Sequence, residues 1–247
     1  MNKTKIEWTD YTWNPVVGCT KVSAGCRDCF AERLVNRFSS VWGMTDFTDV
    51  QEKPERLQQP LKAAKKLKGK KVFVCDMSDL MHHKVNDSFI IQVFEVIRSM
   101  PETTFQVLTK RPQRLWSMCL QKTLVIPDNC WIGVSVENQT TANERIKVLN
   151  RIPAKIKFLS VEPLIDRIEF DYDKHLKFIK WVIVGGETGK MARPMQMHWV
   201  ESIFRKTQEL GIAYFFKQWG TGSLQPLAEI DGEPTLYNKL FRREFPV

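Results

Sequence analysis

The sequence predicts an α/β fold in which a parallel sheet rolls into a complete or partial β/α barrel. Three observations carry that expectation. Short runs rich in Val, Ile and Phe recur along the chain, segments with helical periodicity separate them, and polar residues follow nearly every run. An open doubly wound sheet needs such polar ends only beside its switch point, whereas a barrel gathers every strand end around one mouth.

In chain order, the strand candidates are 12–17, 71–75, 104–108, 130–136, 157–161, 181–184 and 213–216. Helix candidates at 30–38, 54–67, 88–100, 112–121, 140–151 and 198–210 lie between them. The segment from Ser88 shows the helical period: Phe89, Ile90, Val93, Phe94, Val96 and Ile97 form an apolar stripe, and Asn86, Asp87 and Ser88 offer cap oxygens ahead of it. Pro112 stands where a first helical turn begins, and there its missing N–H costs nothing. No repeat and no Gly/Ser linker interrupts the alternation. With 247 residues, one hydrophobic core is expected. It spans 1–219, with a C-terminal extension, 220–247, that wraps the exterior or closes one end; Gly222, Pro226, Gly232 and Pro234 break any period there.

No apolar stretch is long enough to span a bilayer, and the start, MNKTKIEWTD, has no apolar signal region, so a soluble cytoplasmic protein is expected. The formal charge of +9 favours anionic partners such as nucleic acid or nucleotides. Much of it sits in a run from Lys62 to Lys71, which reads first as the solvated face of a helix and its exit turn. Trp8, Trp13 and Trp219 serve either core packing or base stacking.

Cys19, Cys26 and Cys29 form a Cys-x6-Cys-x2-Cys loop after the first strand candidate. In a reducing compartment, three thiolates so close in sequence suit a metal centre better than disulfides. They can hold three corners of a 4Fe-4S cluster and leave the fourth iron open. Zinc is the alternative, completed by His82 or His83, and burial as small residues is a second. Cys75, Cys119 and Cys130 stand apart and read as small hydrophobes, although Cys75 ends a strand beside Asp76.

The Gly18-Cys19 pair, the Cys26/Cys29 pair and Phe30 directly behind it resemble the cluster loop of radical S-adenosylmethionine enzymes. Six residues, rather than that superfamily's usual three, separate the first two cysteines. Across its length the chain carries TWNPVVGC, DMSDLMH, LTKRP, GVSVEN, SVEPL, VIVGGETG with ARP, and FKQWG. In these it is similar to a phage- and prophage-associated family of poorly known function, the DUF5131-like proteins, grouped with the radical S-adenosylmethionine barrels. The resemblance implies a TIM-barrel-like fold, a 4Fe-4S cluster, S-adenosylmethionine as cofactor, and an external electron donor. It further implies acceptors for the methionyl ammonium, for which Asp76, Ser78 and Asp79 are candidates, and ribose partners, for which Ser135, Glu137 and Asn138 are candidates.

Gly185 and Gly186 permit close approach of a nucleobase or cofactor edge, with Glu187 beside them. Lys110, Arg111, Arg193 and Lys217 give the mouth a positive field, and Glu137 and Glu162 need cationic partners if buried. Lys110, Glu162 and Lys217 are the candidates for catalytic work, with a structural ion-pair network as the alternative.

Overall fold

The fold is described from a computed structural model, for residues 1–44, 46–223, 229–230, 233–234 and 240–246. β1 (Asn2–Lys3), β2 (Tyr11–Trp13) and β3 (Val16–Val17) precede helices α1 (Phe30–Arg37) and α2 (Ser39–Trp42) and strand β4 (Gln51–Glu52). Short helices α3 (Gln59–Lys62) and α4 (Ala64–Leu67) lead into β5 (Lys71–Val74). Strand and helix then alternate: α5 (Asp87–Arg98), β6 (Thr104–Thr109), α6 (Pro112–Leu120), β7 (Cys130–Ser135), α7 (Gln139–Leu149) and β8 (Lys157–Val161). β9 (Trp181–Gly185), α8 (Met197–Glu209) and β10 (Ala213–Gln218) complete the series, and β11 (Glu229–Ile230) and β12 (Glu233–Pro234) make a hairpin in the tail.

The main sheet has eight strands in the order β1-β2-β5-β6-β7-β8-β9-β10. Every neighbouring pair is parallel except β1 with β2. Spatial order follows chain order, so successive crossovers advance in one direction, as right-handed βαβ units do. The period of two along each strand sorts its residues between two buried faces. Val72, Val74, Phe105, Val107, Ile132, Val134, Leu159, Val161, Val182, Val184, Tyr214 and Phe216 join the core beneath the helices. Phe73, Phe158, Trp181, Ile183 and Phe215 point the other way, into a second cluster around Trp8.

That second cluster shows that the sheet curls. The Trp8 ring lies 4.7 Å from Phe73 on β5 and 6.1 Å from Trp181 on β9. In a flat sheet those strands, four spacings apart, would be separated by about 19 Å. The C-terminal segment adds to the far edge: Phe216 N donates to Arg242 O at 2.8 Å, Glu244 N donates to Tyr214 O at 2.9 Å, and Trp181 Nε1 donates to Glu244 O at 2.8 Å. From there Arg243 pairs with Glu7 at 2.8 Å, and Phe245 lies 4.4 Å beneath Lys71 Nζ at the start of β5. Residues 240–246 thus bridge β10 to the N-terminal segment and β5. Most of the remaining tail, where an extension was expected, lies outside the described residues.

Two expected elements differ. The 12–17 run is interrupted at Asn14-Pro15, and Val16–Val17 pairs antiparallel with β4 instead of extending β2. A proline cannot donate to a ladder, so the strand stops there. The expected helix 54–67 is a 3-10 turn, Pro54–Arg56, followed by α3 and α4. Pro60 has no N–H for the carbonyl of residue 56, and its ring crowds that turn. Among the described residues no helix is long and apolar enough to cross a membrane.

Candidate functional site

The cysteine loop lies across the C-terminal ends of the parallel strands, the side on which the polar residues gather. Gly18 forms a parallel bridge with Ser78, just beyond β5, and its N–H donates to Met77 O at 3.2 Å. Cys19 and Cys29 border one small apolar cluster with Val17, Ala31, Val35, Met44, Phe47 and Met77. Burial pushes the Cys19 thiol up to about 11, helped by Asp79 and opposed by Arg111. Burial also raises Cys29, against hydrogen bonds from the backbone N–H groups of Glu32 and Ala31 in the first turn of α1. The charge of Cys26 adds a smaller upward push on both. Among the described residues, no group of three or more His, Cys, Asp or Glu side chains is arranged to hold a metal ion.

Two buried glutamates tie this loop down. Glu137 is fully buried and its Oε1 accepts from Ser23 Oγ at 2.8 Å, from Arg145 at 3.0 Å and from Lys110 Nζ. Burial works to raise its pKa, but the Lys110 and Arg145 cations outweigh that and hold it below the usual carboxylate range. Gly25 sits directly on this side chain with no room for a β-carbon. Glu187 is likewise buried and held low, because the hydrogen bonds from Arg193 overcome desolvation. Arg193 Nη2 also donates to Ala24 O at 2.9 Å, and Arg27 lies 3.8 Å from Glu187. Farther along, Arg33 pairs with Asp28 at 2.9 Å and donates to the carbonyl of Thr188.

The other expected residues divide by their partners. Asp79 is buried and accepts from Thr109 Oγ1 at 2.7 Å, the backbone of Lys110 and Met81, and Arg111 at 3.0 Å. Burial raises Asp76 against the hydrogen bond from Asn14 Nδ2, 2.5 Å away. Ser78 Oγ donates to Val16 O at 2.8 Å. Asn138 caps α7 in a reciprocal box with Thr141. Ser135 is buried, and its carbonyl accepts from Arg145 at 2.7 Å. Gly186 allows a close approach of the Trp219–Gly220 backbone, against which a β-carbon would clash. Phe30, the first residue of α1, is exposed.

Glu162 and Lys217 pair with each other at the C-terminal strand ends and are each about one-fifth exposed (20% and 23%), with Gly185 beside the carboxylate. No bond joins them to the cysteine loop. Cys75 is enclosed in the main core, and burial drives its thiol up to about 12. Of the two histidines that could complete a zinc site, His82 is fully buried with both ring nitrogens engaged: Nε2 lies 2.8 Å from Thr20 Oγ1, and Nδ1 accepts from Lys84 N at 3.2 Å. His83 stacks on it at 4.3 Å.

A family model described as a protein of unknown function (DUF5131) matches residues 3–234. The chain belongs to the DUF5131 family. No curated protein matches it significantly. The DUF5131 match takes in the cysteine loop and every strand from β2 to β12, so the site lies wholly within the family's domain. Sequence reasoning missed Ser23, Arg27, Arg33 and Arg145, the side chains that fasten the loop. Ordinary polar residues on a loop or helix carry no local sign of a partner more than a hundred positions away, as Ser23 has in Glu137.

Proposed function

We propose that this chain is a radical S-adenosylmethionine-type enzyme of the cytoplasm. In this reading the sheet forms a complete or partial β/α barrel, and Cys19, Cys26 and Cys29 hold a 4Fe-4S cluster over its mouth. When bound and reduced, the cluster and S-adenosylmethionine supply a 5′-deoxyadenosyl radical; the protein orients them and excludes water. The observation that supports the reading is the three-cysteine loop laid across the polar strand ends, where Gly18 bridges Ser78 and Arg111 reaches Cys19 Sγ.

The chemistry of the donor set suits such a group. Soft thiolates suit an iron–sulfur centre, and the engaged ring of His82 removes one of the two histidines a zinc site would use. Among the described residues, buried Glu137 has no partner for its second oxygen, Oε2, beneath the loop, an acceptor of the kind a ribose hydroxyl calls for. Asp76, Ser78 and Asp79 stand behind Gly18 for the methionyl ammonium. The Glu162–Lys217 pair, free of the loop and open to the mouth, is the acid–base pair for substrate, with Lys110 next to it in role. The +9 charge, the cations at the mouth and the phage-associated resemblance favour a nucleic-acid or nucleotide substrate, and an external donor delivers the electron.

Anaerobic reconstitution with iron and sulfide is expected to give a brown protein absorbing broadly near about 400 nm. Reduced with dithionite, it is expected to release 5′-deoxyadenosine from S-adenosylmethionine. A colourless, iron-free product would overturn the proposal.

A further inference from the structure

Arg111 follows β6 where the chain turns into α6, with Pro112 at the first helical position. Its side chain is only 14% exposed. Nη1 donates to Asp79 Oδ2 at 3.0 Å and lies 3.6 Å from Cys19 Sγ; Nη2 donates to the carbonyl of Thr20 at 2.8 Å and to its hydroxyl at 3.1 Å. The carboxylate behind it is itself fixed by Thr109 Oγ1 and by the N–H groups of Lys110 and Met81. A buried guanidinium needs its anionic partner, and Asp79 meets that need without the loop. The rest of the fork nevertheless faces Cys19 and Thr20, a planar set of donors aimed in fixed directions. Cys26 and Cys29 have different neighbours: Ser23 Oγ at 3.9 Å from the first, and helix N–H groups on the second.

We infer that Arg111 is the positioning residue of the cysteine loop. Its fork, locked by Asp79, sets the direction of Cys19 Sγ and donates an N–H···S bond to that sulfur when the sulfur is bound to metal. This rests on the proposed reading that the three cysteines ligate a metal centre. Partners outside the ligand shell orient ligands and tune a metal, and a hydrogen bond to a ligating sulfur stabilises the more negative, reduced state.

The test compares full-length wild type, Arg111→Gln and Arg111→Lys, each titrated anaerobically with Co²⁺ alone and followed by thiolate-to-cobalt charge-transfer absorbance. The same three are then reconstituted with iron and sulfide, and their midpoint potentials are measured at equal iron content. Arg111→Gln is expected to bind Co²⁺ about 10- to 100-fold more weakly and to shift the potential in the negative direction. Arg111→Lys keeps the charge without the fork, so its potential recovers more than its Co²⁺ affinity. Equal affinities and potentials in all three proteins would overturn the inference. Should Arg111→Gln fail to fold, Arg111→Lys against wild type decides by the same two readouts. A wild type that binds Co²⁺ through its thiolates yet takes up no iron and sulfide overturns the iron–sulfur reading and leaves the cobalt comparison to judge Arg111. A wild type that takes up iron and sulfide but no Co²⁺ leaves the midpoint potentials to judge Arg111, and one that takes up neither overturns both.

Discussion

The two ends of the parallel strands are closed by opposite chemistries on the same face of the sheet. Toward the strand starts, Phe73, Phe158, Trp181 and Phe215 pack on Trp8, and Phe245 adds to them from the C-terminal segment. Toward the strand ends, the same alternation presents Ser160 and Glu162 after Phe158, Ser135 and Glu137 on β7 and just beyond it, and Lys217 after Phe215. One end is held by area removed from water, which is non-directional and tolerant of small shifts. The other is held by buried ion pairs, which fix the position of the cysteine loop but cost desolvation. The contrast assigns stability to the aromatic end and leaves the proposed chemistry to the ionic end.

The largest expected effect tests the aromatic end. Trp181→Ala removes the ring shared by Trp8, Trp131, Phe158, Phe215 and Phe245. It is expected to lower the unfolding free energy in urea by about 4 kcal/mol, with thiol–metal binding kept in the protein that remains folded. A loss under about 1 kcal/mol, the size of an exposed surface change, would break the contrast.

Next comes Glu137→Gln, which leaves Lys110 and Arg145 without their counter-charge. The expected cost is about 3 kcal/mol, at the low end for breaking a buried pair because Lys110 keeps some access to water. Hydrogen exchange should quicken across residues 19–29 while the segment around Trp181 stays protected. Uniform quickening along the chain would show that the ionic end is part of the general core.

A smaller effect on stability, paired with a large one on activity, is expected at the mouth. Lys217→Met together with Glu162→Gln removes a partly exposed pair worth about 1 kcal/mol or less. If this pair handles substrate, product formation falls sharply while 5′-deoxyadenosine release from S-adenosylmethionine persists. Unchanged turnover with the native substrate would restrict the pair to structure.

Acidification separates the ends most gently. His82, buried and close to Arg111 and His83, has its pKa lowered from 6.5 to about 4, so below pH 6.5 the unfolded chain binds the proton more readily than the folded one. Its contribution is full above 6.5 and is lost as pH falls from there toward 4. Glu137 and Glu187 also titrate below their ordinary range, so their contributions disappear at still lower pH. His82→Gln is expected to flatten the first part of the stability profile measured by urea unfolding between pH 7 and 4, whereas Trp181→Ala should leave its slope unchanged. An identical slope in His82→Gln and wild type would remove the histidine from the account.

Much of the layered architecture was legible in the chain because it rests on local period. Short apolar runs at 157–161 and 181–184 mark strands, the stripe from Phe89 to Ile97 marks α5, and Pro112 marks the first turn of α6. Polar residues behind each strand were readable as a rim, and Cys19, Cys26 and Cys29 as a set, because their residue types and spacing lie within a few positions of one another. The roles within the rim were not. Asn138 and Gly186 have the composition of ligand contacts, yet the first caps a helix and the second admits the backbone at Trp219. Asp79 and Glu137 look alike as acidic residues after strands, but one anchors Arg111 and the other bears on Gly25 and Ser23.

The sequence by itself therefore determined the α/β class, the parallel pairing of the strands and the close set of three cysteines, since each depends on neighbours close along the chain. Only the tertiary structure decided that the sheet curls around Trp8, which acids are neutralised by which cations, and that the pair left open at the mouth is Glu162 with Lys217. Those outcomes depend on side chains from distant segments meeting in a low-dielectric space, where an unpaired charge is too costly to persist and burial selects the partner.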